Sequence, residues 1–154
     1  MKSMRHGFLK FAFVDDGDGT GELSVEASVE GFSGRGSAYF NIDRLKQFAS
    51  DIGEFPLPQE RRCRIASGFW SKEARGKLDQ EHLAVDVYPV DRRGHIGVQV
   101  RTATELWQGA RPDSQKTAKL EIITTYEPLA RFSKDLRALL EGSVQEATLE
   151  GERG

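Results

Sequence analysis

The feature that most constrains the fold of this chain is an internal repeat. Residues 45–52 (LKQFASDI) match residues 129–136 (LARFSKDL) at a constant offset, since 129 − 45, 132 − 48 and 136 − 52 all equal 84. Each copy follows a strand-like run, over residues 37–42 in the first half and residues 118–126 in the second. The sequence therefore predicts one strand–helix unit that is used twice.

The remaining patterns predict the fold class. Residues 22–30 alternate apolar and polar side chains, which is typical of an antiparallel strand with one buried face. Helical spacing places Leu45, Phe48 and Ile52 on one stripe of the first predicted helix. Together the patterns predict an α+β fold with mainly antiparallel sheets of about seven strands and two helices, in the order β-β-β-α-β-β-β-β-α.

Glycine, proline and polar clusters set the predicted boundaries. Residues 31–36 (GFSGRG) are interpreted as a glycine turn, and residues 69–80 as a polar loop. Pairing Val90 with His95 across a compact hairpin gives strand partners whose numbers sum to 185. Residues 1–141 are predicted to form a single α+β domain, and residues 142–154 a flexible acidic tail.

Composition limits the function classes. The formal net charge of −2 argues against a nucleic-acid binder, and the longest apolar runs are far shorter than the roughly 20 residues of a membrane helix. The N-terminus has no apolar region of a secretory signal. Cys63 is the only cysteine, and alternation directs it away from Arg62 and Arg64 into the core. We therefore expect a cytoplasmic protein with no internal disulfide.

The sequence predicts no catalytic residue, no metal site and no cofactor. The acidic tract that begins at Asp16 resembles a calcium loop, but Ala27 occupies the position where calcium needs a bidentate carboxylate. No Gly-x-Ser-x-Gly motif is present, and no close-spaced zinc ligands occur. The histidines are interpreted as separate surface or rim residues: His6, His82 and His95. The chain is therefore predicted not to be an enzyme.

Two surface features are candidate partner-binding sites. Glu22, Glu26 and Glu30 share the polar face of one predicted strand and form an acidic stripe, whereas a basic segment lies between residues 61 and 77. Trp70 and Trp107 lie beside polar loops, where they could act as interface anchors. The alternatives are an ordinary solvated sheet face for the glutamates and core-rim packing for the tryptophans.

Five segments carry a resemblance to a known family: residues 31–40 (GFSGRGSAYF), 45–49 (LxxFA), 55–57 (FPL), 94–100 (GHIGVQV) and 129–132 (LxxF). They resemble a family of small bacterial proteins related to immunity proteins of the WapI type. The resemblance implies an α+β domain that neutralises a toxin by binding it, and it implies no catalytic residue. Because many toxin nucleases are basic, the acidic stripe is the expected docking surface.

Other functions stay open at this level. A small-molecule-binding or regulatory module would use a pocket lined by Trp70, Trp107 and Arg101. A hydrolase or transferase with an unrecognised site would need a deep cleft with converging polar groups. An exposed strand edge would allow a homodimer as well as a monomer.

Overall fold

The computed structural model describes residues 7–152, which form eight strands and two helices. In chain order these are β1 (Phe8–Asp15), β2 (Thr20–Val29), β3 (Phe32–Asn41), α1 (Ile42–Ile52), β4 (Cys63–Trp70), β5 (Leu78–Pro89), β6 (His95–Ala103), β7 (Thr117–Thr125), α2 (Tyr126–Leu140) and β8 (Ala147–Glu150). The predicted α+β class and the predicted order of the first nine elements are confirmed.

The strands form two antiparallel sheets of four. Sheet A has the order β3-β2-β1-β8, and sheet B has the order β4-β5-β6-β7. The predicted hairpin register is confirmed, because Pro89 pairs with Ile96 and the N–H of Val90 donates to the carbonyl of His95 at 3.0 Å. Short connections join β1 to β2, β2 to β3 and β5 to β6, which explains the antiparallel pairing within these hairpins.

The prediction of a flexible tail is wrong for residues 147–150. These residues form β8, which pairs with β1, and the side chains of Ala147 and Leu149 are buried opposite Phe11 and Leu9. Two alternating apolar side chains are enough to fix this short strand, because the edge of β1 offers both backbone partners and an apolar face. Beyond it, the N–H of Glu152 donates to the carbonyl of Ile123 in β7.

The offset of 84 extends beyond the helices. Cys63 and Ile65 in β4 correspond to Ala147 and Leu149 in β8, since 147 − 63 and 149 − 65 both equal 84. The chain is thus two βββαβ units, and each unit gives its last strand to the sheet of the other. Each sheet therefore contains strands of both halves.

The core lies between the inner faces of the sheets and is filled by the helices, which pack on each other. Phe11 and Phe132 meet edge to face with ring centroids 5.2 Å apart. The Ser133 hydroxyl donates to the carbonyl of Ala49 at 2.6 Å, so two residues related by the repeat join the helices. Phe48 and Phe132, the aromatic positions of the repeat, are both buried, as predicted.

The interpretation of residues 31–36 as a turn is also wrong. Only Glu30 and Gly31 form the turn, with φ angles of 52° and 86°, as a type I′ hairpin requires. Gly34 and Gly36 lie inside β3, where the sheets cross closely. A Cβ atom on Gly34 would lie 2.7 Å from the Cβ atom of Ala118 in β7. These glycines are therefore needed for close packing of the two sheets.

Candidate functional site

A concave surface with aromatic walls lies at one end of sheet B, and we name it the aromatic cleft. Phe69 and Trp70 reach it from the end of β4, whereas Leu106 and Trp107 reach it from the loop between β6 and β7. Its volume is about 800 Å³. The cleft brings together the two tryptophans that the sequence singled out as interface anchors.

Both tryptophan side chains are largely exposed to solvent, and a packed aromatic side chain lies behind them. Trp70 is 52% exposed and Trp107 is 64% exposed. Between the cleft and the core lies Phe69, whose ring centroid is 4.9 Å from that of Trp107 and 4.5 Å from that of His82. The aromatic surface is thus continuous from buried His82 to exposed Trp107.

The strands that carry Phe69 and Gln80 are longer than predicted. Residues 69–80 were expected to form a loop, but β4 extends to Trp70 and β5 begins at Leu78. Register shifts interrupt the pairing between Ser67 and Gly68 and again between Phe69 and Trp70. Irregular pairing of this kind breaks the period-two pattern that sequence reasoning uses, and it re-aims side chains at the end of a sheet.

Gln80 holds the Trp107 loop in place. Its Nε2 donates to the carbonyl of Leu106 at 2.7 Å, and its Oε1 accepts from the N–H of Leu106 at 3.1 Å. The side-chain amide of Gln80 therefore pairs with both backbone groups of Leu106, as the backbone of a neighbouring β-strand would. The same Oε1 lies 2.9 Å from Nε2 of His82, so this nitrogen carries the proton.

His82 corrects a further prediction. It was expected at the surface or rim, but it is only 3% exposed and packs against Phe69. Its position beside an apolar strand, Leu83 to Val87, was the available signal for burial. His82 and Gln80 form the support of the cleft, and neither was identified from the sequence as part of a site.

Backbone and side-chain hydrogen bonds close both loops that border the cleft. In the loop between β4 and β5, the N–H of Ser71 donates to the carbonyl of Lys77 at 2.8 Å. In the loop between β6 and β7, the N–H of Thr104 donates to the carbonyl of Lys116 at 2.9 Å. The side chain of Thr104 also accepts from the N–H of Lys116. A partner would therefore meet a preformed surface, which lowers the entropy lost on binding.

The predicted acidic stripe is not a uniform acidic surface, and it lies on sheet A, not beside the tryptophans. Glu26 lies between Lys10 on β1 and Arg35 on β3, and the guanidinium of Arg35 is 3.4 Å from its carboxylate. Glu22 accepts a hydrogen bond from the hydroxyl of Ser37 at 3.1 Å. The third glutamate, Glu30, is a turn residue.

A polar network covers the outer face of sheet B. Asp86, whose side chain is 8% exposed, accepts from Arg62 at 3.2 Å and from Arg64 at 2.7 Å. The guanidinium of Arg62 also stacks over the ring of Tyr88, 3.9 Å from its centroid. Burial and a hydrogen bond to Glu121 raise the pKa of the Tyr88 hydroxyl well above its ordinary value. Because these groups satisfy one another, we interpret the network as a structural surface.

A second polar cluster surrounds His95. Its Nδ1 lies 2.7 Å from the carboxylate of Asp91, and its Nε2 lies 3.4 Å from that of Glu152. The hydrogen bond to Asp91, followed by its charge, raises the pKa of His95 above its ordinary value of 6.5. The cluster links the β5–β6 hairpin to the segment after β8. As predicted, His95 does not share a site with His82, while His6 lies outside the described residues.

The other chemical candidates have structural roles. Within residues 7–152, no group of three or more histidine, cysteine or acidic side chains could hold a metal ion. Asp18 accepts from the hydroxyl of Thr20 at 2.7 Å, which lowers the pKa of its carboxyl group and closes the turn after β1. Cys63 is buried, as predicted, and burial raises the pKa of its thiol.

Neither helix in the described part of the chain is both long enough and apolar enough to cross a membrane. Comparisons of the chain with protein-family models, with curated proteins and with solved structures found no match. The functional argument therefore depends on the geometry of the aromatic cleft.

Proposed function

We propose that this protein is a non-catalytic protein-binding domain that docks its partner in the aromatic cleft. The observation that carries the proposal is the pair of exposed tryptophans, Trp70 and Trp107, on the walls of one preformed cleft. Tryptophan is among the residues that most often dominate binding energy at protein interfaces. The two hydrogen bonds from Gln80 to Leu106 also hold the loop that carries Trp107 in place. If Trp107 served only to pack at the rim of the core, this additional support would not be needed.

The partner that we propose is a bacterial toxin domain, which makes this protein an immunity factor. The resemblance of residues 31–40 and 94–100 to the WapI-type immunity family supports this finer proposal. An immunity protein acts by binding alone, and five charged side chains at sheet B form mutual ion pairs: Arg62, Arg64, Glu81, Asp86 and Arg101. A cytoplasmic location in a bacterium follows from the same proposal.

Isothermal titration calorimetry against a toxin domain encoded by a neighbouring gene tests the proposal. We expect a one-to-one complex that Trp70→Ala and Trp107→Ala each weaken by at least about tenfold. The matched control is Phe32→Ala, because Phe32 is an aromatic residue that is 70% exposed at a hairpin of sheet A. Equal loss of affinity in all three variants, or no complex at all, contradicts the proposal.

The second candidate function is binding of a small molecule. The volume of the aromatic cleft favours it, because about 800 Å³ lies within the usual range of ligand sites. Arg101 does not line the cleft with the tryptophans, although that was expected; it lines the neighbouring groove instead. Native mass spectrometry of the purified protein distinguishes the candidates, since a ligand retained by the wild type and lost in Trp107→Ala supports this second function.

A further inference from the structure

The last described segment of the chain joins the two sheets, and we name residues 147–152 the β8 strap. In sheet A, β8 pairs with β1, and the N–H of Gly151 donates to the carbonyl of Gly7 at 2.7 Å. On the side of sheet B, the N–H of Glu152 donates to the carbonyl of Ile123 in β7. Because β8 and β7 are edge strands of their sheets, the strap connects an edge of one sheet to an edge of the other.

Few contacts hold the β8 strap in place. Its strand has four residues, half the length of β4, which is its counterpart in the repeat. Ala147 and Leu149 bury their side chains, whereas Thr148 and Glu150 are exposed. A short edge strand opens more easily than the centre of a sheet, because only a few hydrogen bonds and apolar contacts must break together. One additional side-chain contact therefore changes how often the strap opens.

His95, at the start of β6, supplies such a contact. Its imidazole lies between two carboxylates, since Nδ1 is 2.7 Å from that of Asp91 and Nε2 is 3.4 Å from that of Glu152. Asp91 belongs to the β5–β6 hairpin, whereas Glu152 belongs to the strap. The carboxylate of Asp91 also accepts from the backbone N–H of Arg93 at 2.7 Å and from that of His95 at 3.2 Å. These bonds fix the carboxylate that orients the imidazole.

The two nitrogens of His95 have different roles. A carboxylate accepts hydrogen bonds and donates none, so Asp91 keeps a proton on Nδ1 in the neutral imidazole. Nε2 is then the atom that gains or loses a proton as pH changes. When it is protonated, Nε2 donates toward Glu152, and when it is not, its lone pair faces that carboxylate. The proton on Nε2 therefore decides whether the strap is bonded to His95.

The charges around His95 favour the protonated imidazole. Asp91 and Glu152 are both negative, and Thr125, which pairs with His95 from β7, is uncharged. Residues 92–93, both arginine, are the cations of the same hairpin. The two carboxylates outweigh these cations, since the hydrogen bond to Asp91, followed by its charge and by Glu152, raises the pKa of His95 above 6.5.

We propose that the Nε2 proton of His95 is a pH-operated latch that holds the β8 strap on sheet B. The latch is complete below pH 6.5 and is lost as pH rises through the folded-state pKa. Its loss makes the strap open more often, which uncovers the side chain of Leu149 and the edge of β1. An uncovered edge presents unpaired backbone groups to another strand. The latch lies at the opposite end of sheet B from the aromatic cleft, so the inference is independent of the proposed function.

Amide hydrogen exchange of the full chain, followed by NMR at about pH 5.5 and about pH 8.5, tests the latch. Dividing the intrinsic exchange rate at each pH by the measured rate gives a protection factor for each N–H. We expect the protection of Gly151 and Glu152 to fall about two- to fivefold at the higher pH, as the loss of an exposed ion pair requires. The N–H of Thr104, which donates to Lys116 beyond the other end of β6, is the internal reference and should keep its protection.

Two variants separate the latch from other effects of pH. Glu152→Gln removes the charge on the strap, so the fall in protection should be absent although His95 still titrates. Because the side chain of Glu152 is 44% exposed, this variant is expected to fold. His6→Gln is the matched control, since His6 titrates in the same range and precedes Gly7 in the sequence, and it should keep the fall.

Three outcomes overturn the inference. The first is equal protection of Gly151 and Glu152 at the two pH values, relative to Thr104. The second is a fall that persists in Glu152→Gln, because His95 would then act without the strap. The third is a fall that disappears in His6→Gln, because a different histidine would then carry the effect.

Discussion

Replacing Gln80 by alanine tests whether the aromatic cleft is preformed. The substitution removes two hydrogen bonds to Leu106 and one to His82. A net contribution of about 0.5–1.5 kcal/mol for each of the three bonds gives a total of about 1.5–4.5 kcal/mol. Part of this free energy is offset, because the backbone N–H and carbonyl of Leu106 can form hydrogen bonds with water when the loop opens. We therefore expect the closed loop to lose about 2 kcal/mol relative to the open loop.

Amide hydrogen exchange, followed by NMR, measures this loss at one atom. Because about 1.4 kcal/mol corresponds to a tenfold change in an equilibrium constant, the N–H of Leu106 should exchange roughly 30-fold faster in Gln80→Ala. Gln99→Ala is the matched control, since Gln99 lies on the outer face of sheet B and forms no side-chain hydrogen bond within residues 7–152. Equal exchange rates of Leu106 in the two variants would refute the role assigned to Gln80.

Three further predictions concern the fold. Leu149→Ala should lower the free energy of unfolding in urea by about 2–5 kcal/mol, because it leaves a cavity under β8, whereas Thr148→Ala on the exposed face should change it little. The pKa of His95 is raised in the folded state, so protonated His95 stabilises the fold fully below pH 6.5, and this contribution is lost as pH rises through the folded-state pKa. Urea unfolding at a series of pH values should show this loss of stability. The loss should be absent in His95→Gln. Gly34→Ala should lower the melting temperature, because the added methyl group meets the side chains of sheet B, and an unchanged melting temperature contradicts the close crossing of the sheets.

Local patterns made the repeat predictable. The helical spacing of Leu45 and Phe48, and the matching spacing of Leu129 and Phe132, follow from packing one face against a core. The β5–β6 register was also accessible, because a short hairpin fixes which residues pair. Both are properties of neighbouring residues, and sequence reasoning performs best on such properties.

Pairing between distant segments was much less accessible. Ala147 and Leu149 are two apolar residues among acids, and only the free edge of β1 makes them a strand. Gly34 and Gly36 were interpreted as turn residues, because nothing near them in the chain indicates that a second sheet crosses there. In both cases tertiary contacts outweighed the local pattern.

The site was predictable only in part. Trp70 and Trp107 were chosen for their polar surroundings, but their meeting in one cleft depends on Gln80 and on irregular pairing in β4. Glu22 and Glu26 of the acidic stripe lie on β2, but Glu30 lies in the turn after it, and the cations on both neighbouring strands were not considered. Once the register is known, Lys10 opposite Glu26 follows directly.

Hydrogen–deuterium exchange on the complex with the toxin domain tests the central claim most directly, because it shows where the partner lies. We predict that binding protects the peptides that cover residues 68–80 and 104–108, which carry both walls of the aromatic cleft. Protection confined to residues 22–35 of sheet A, with the cleft unchanged, would contradict the proposed function and the location of its site.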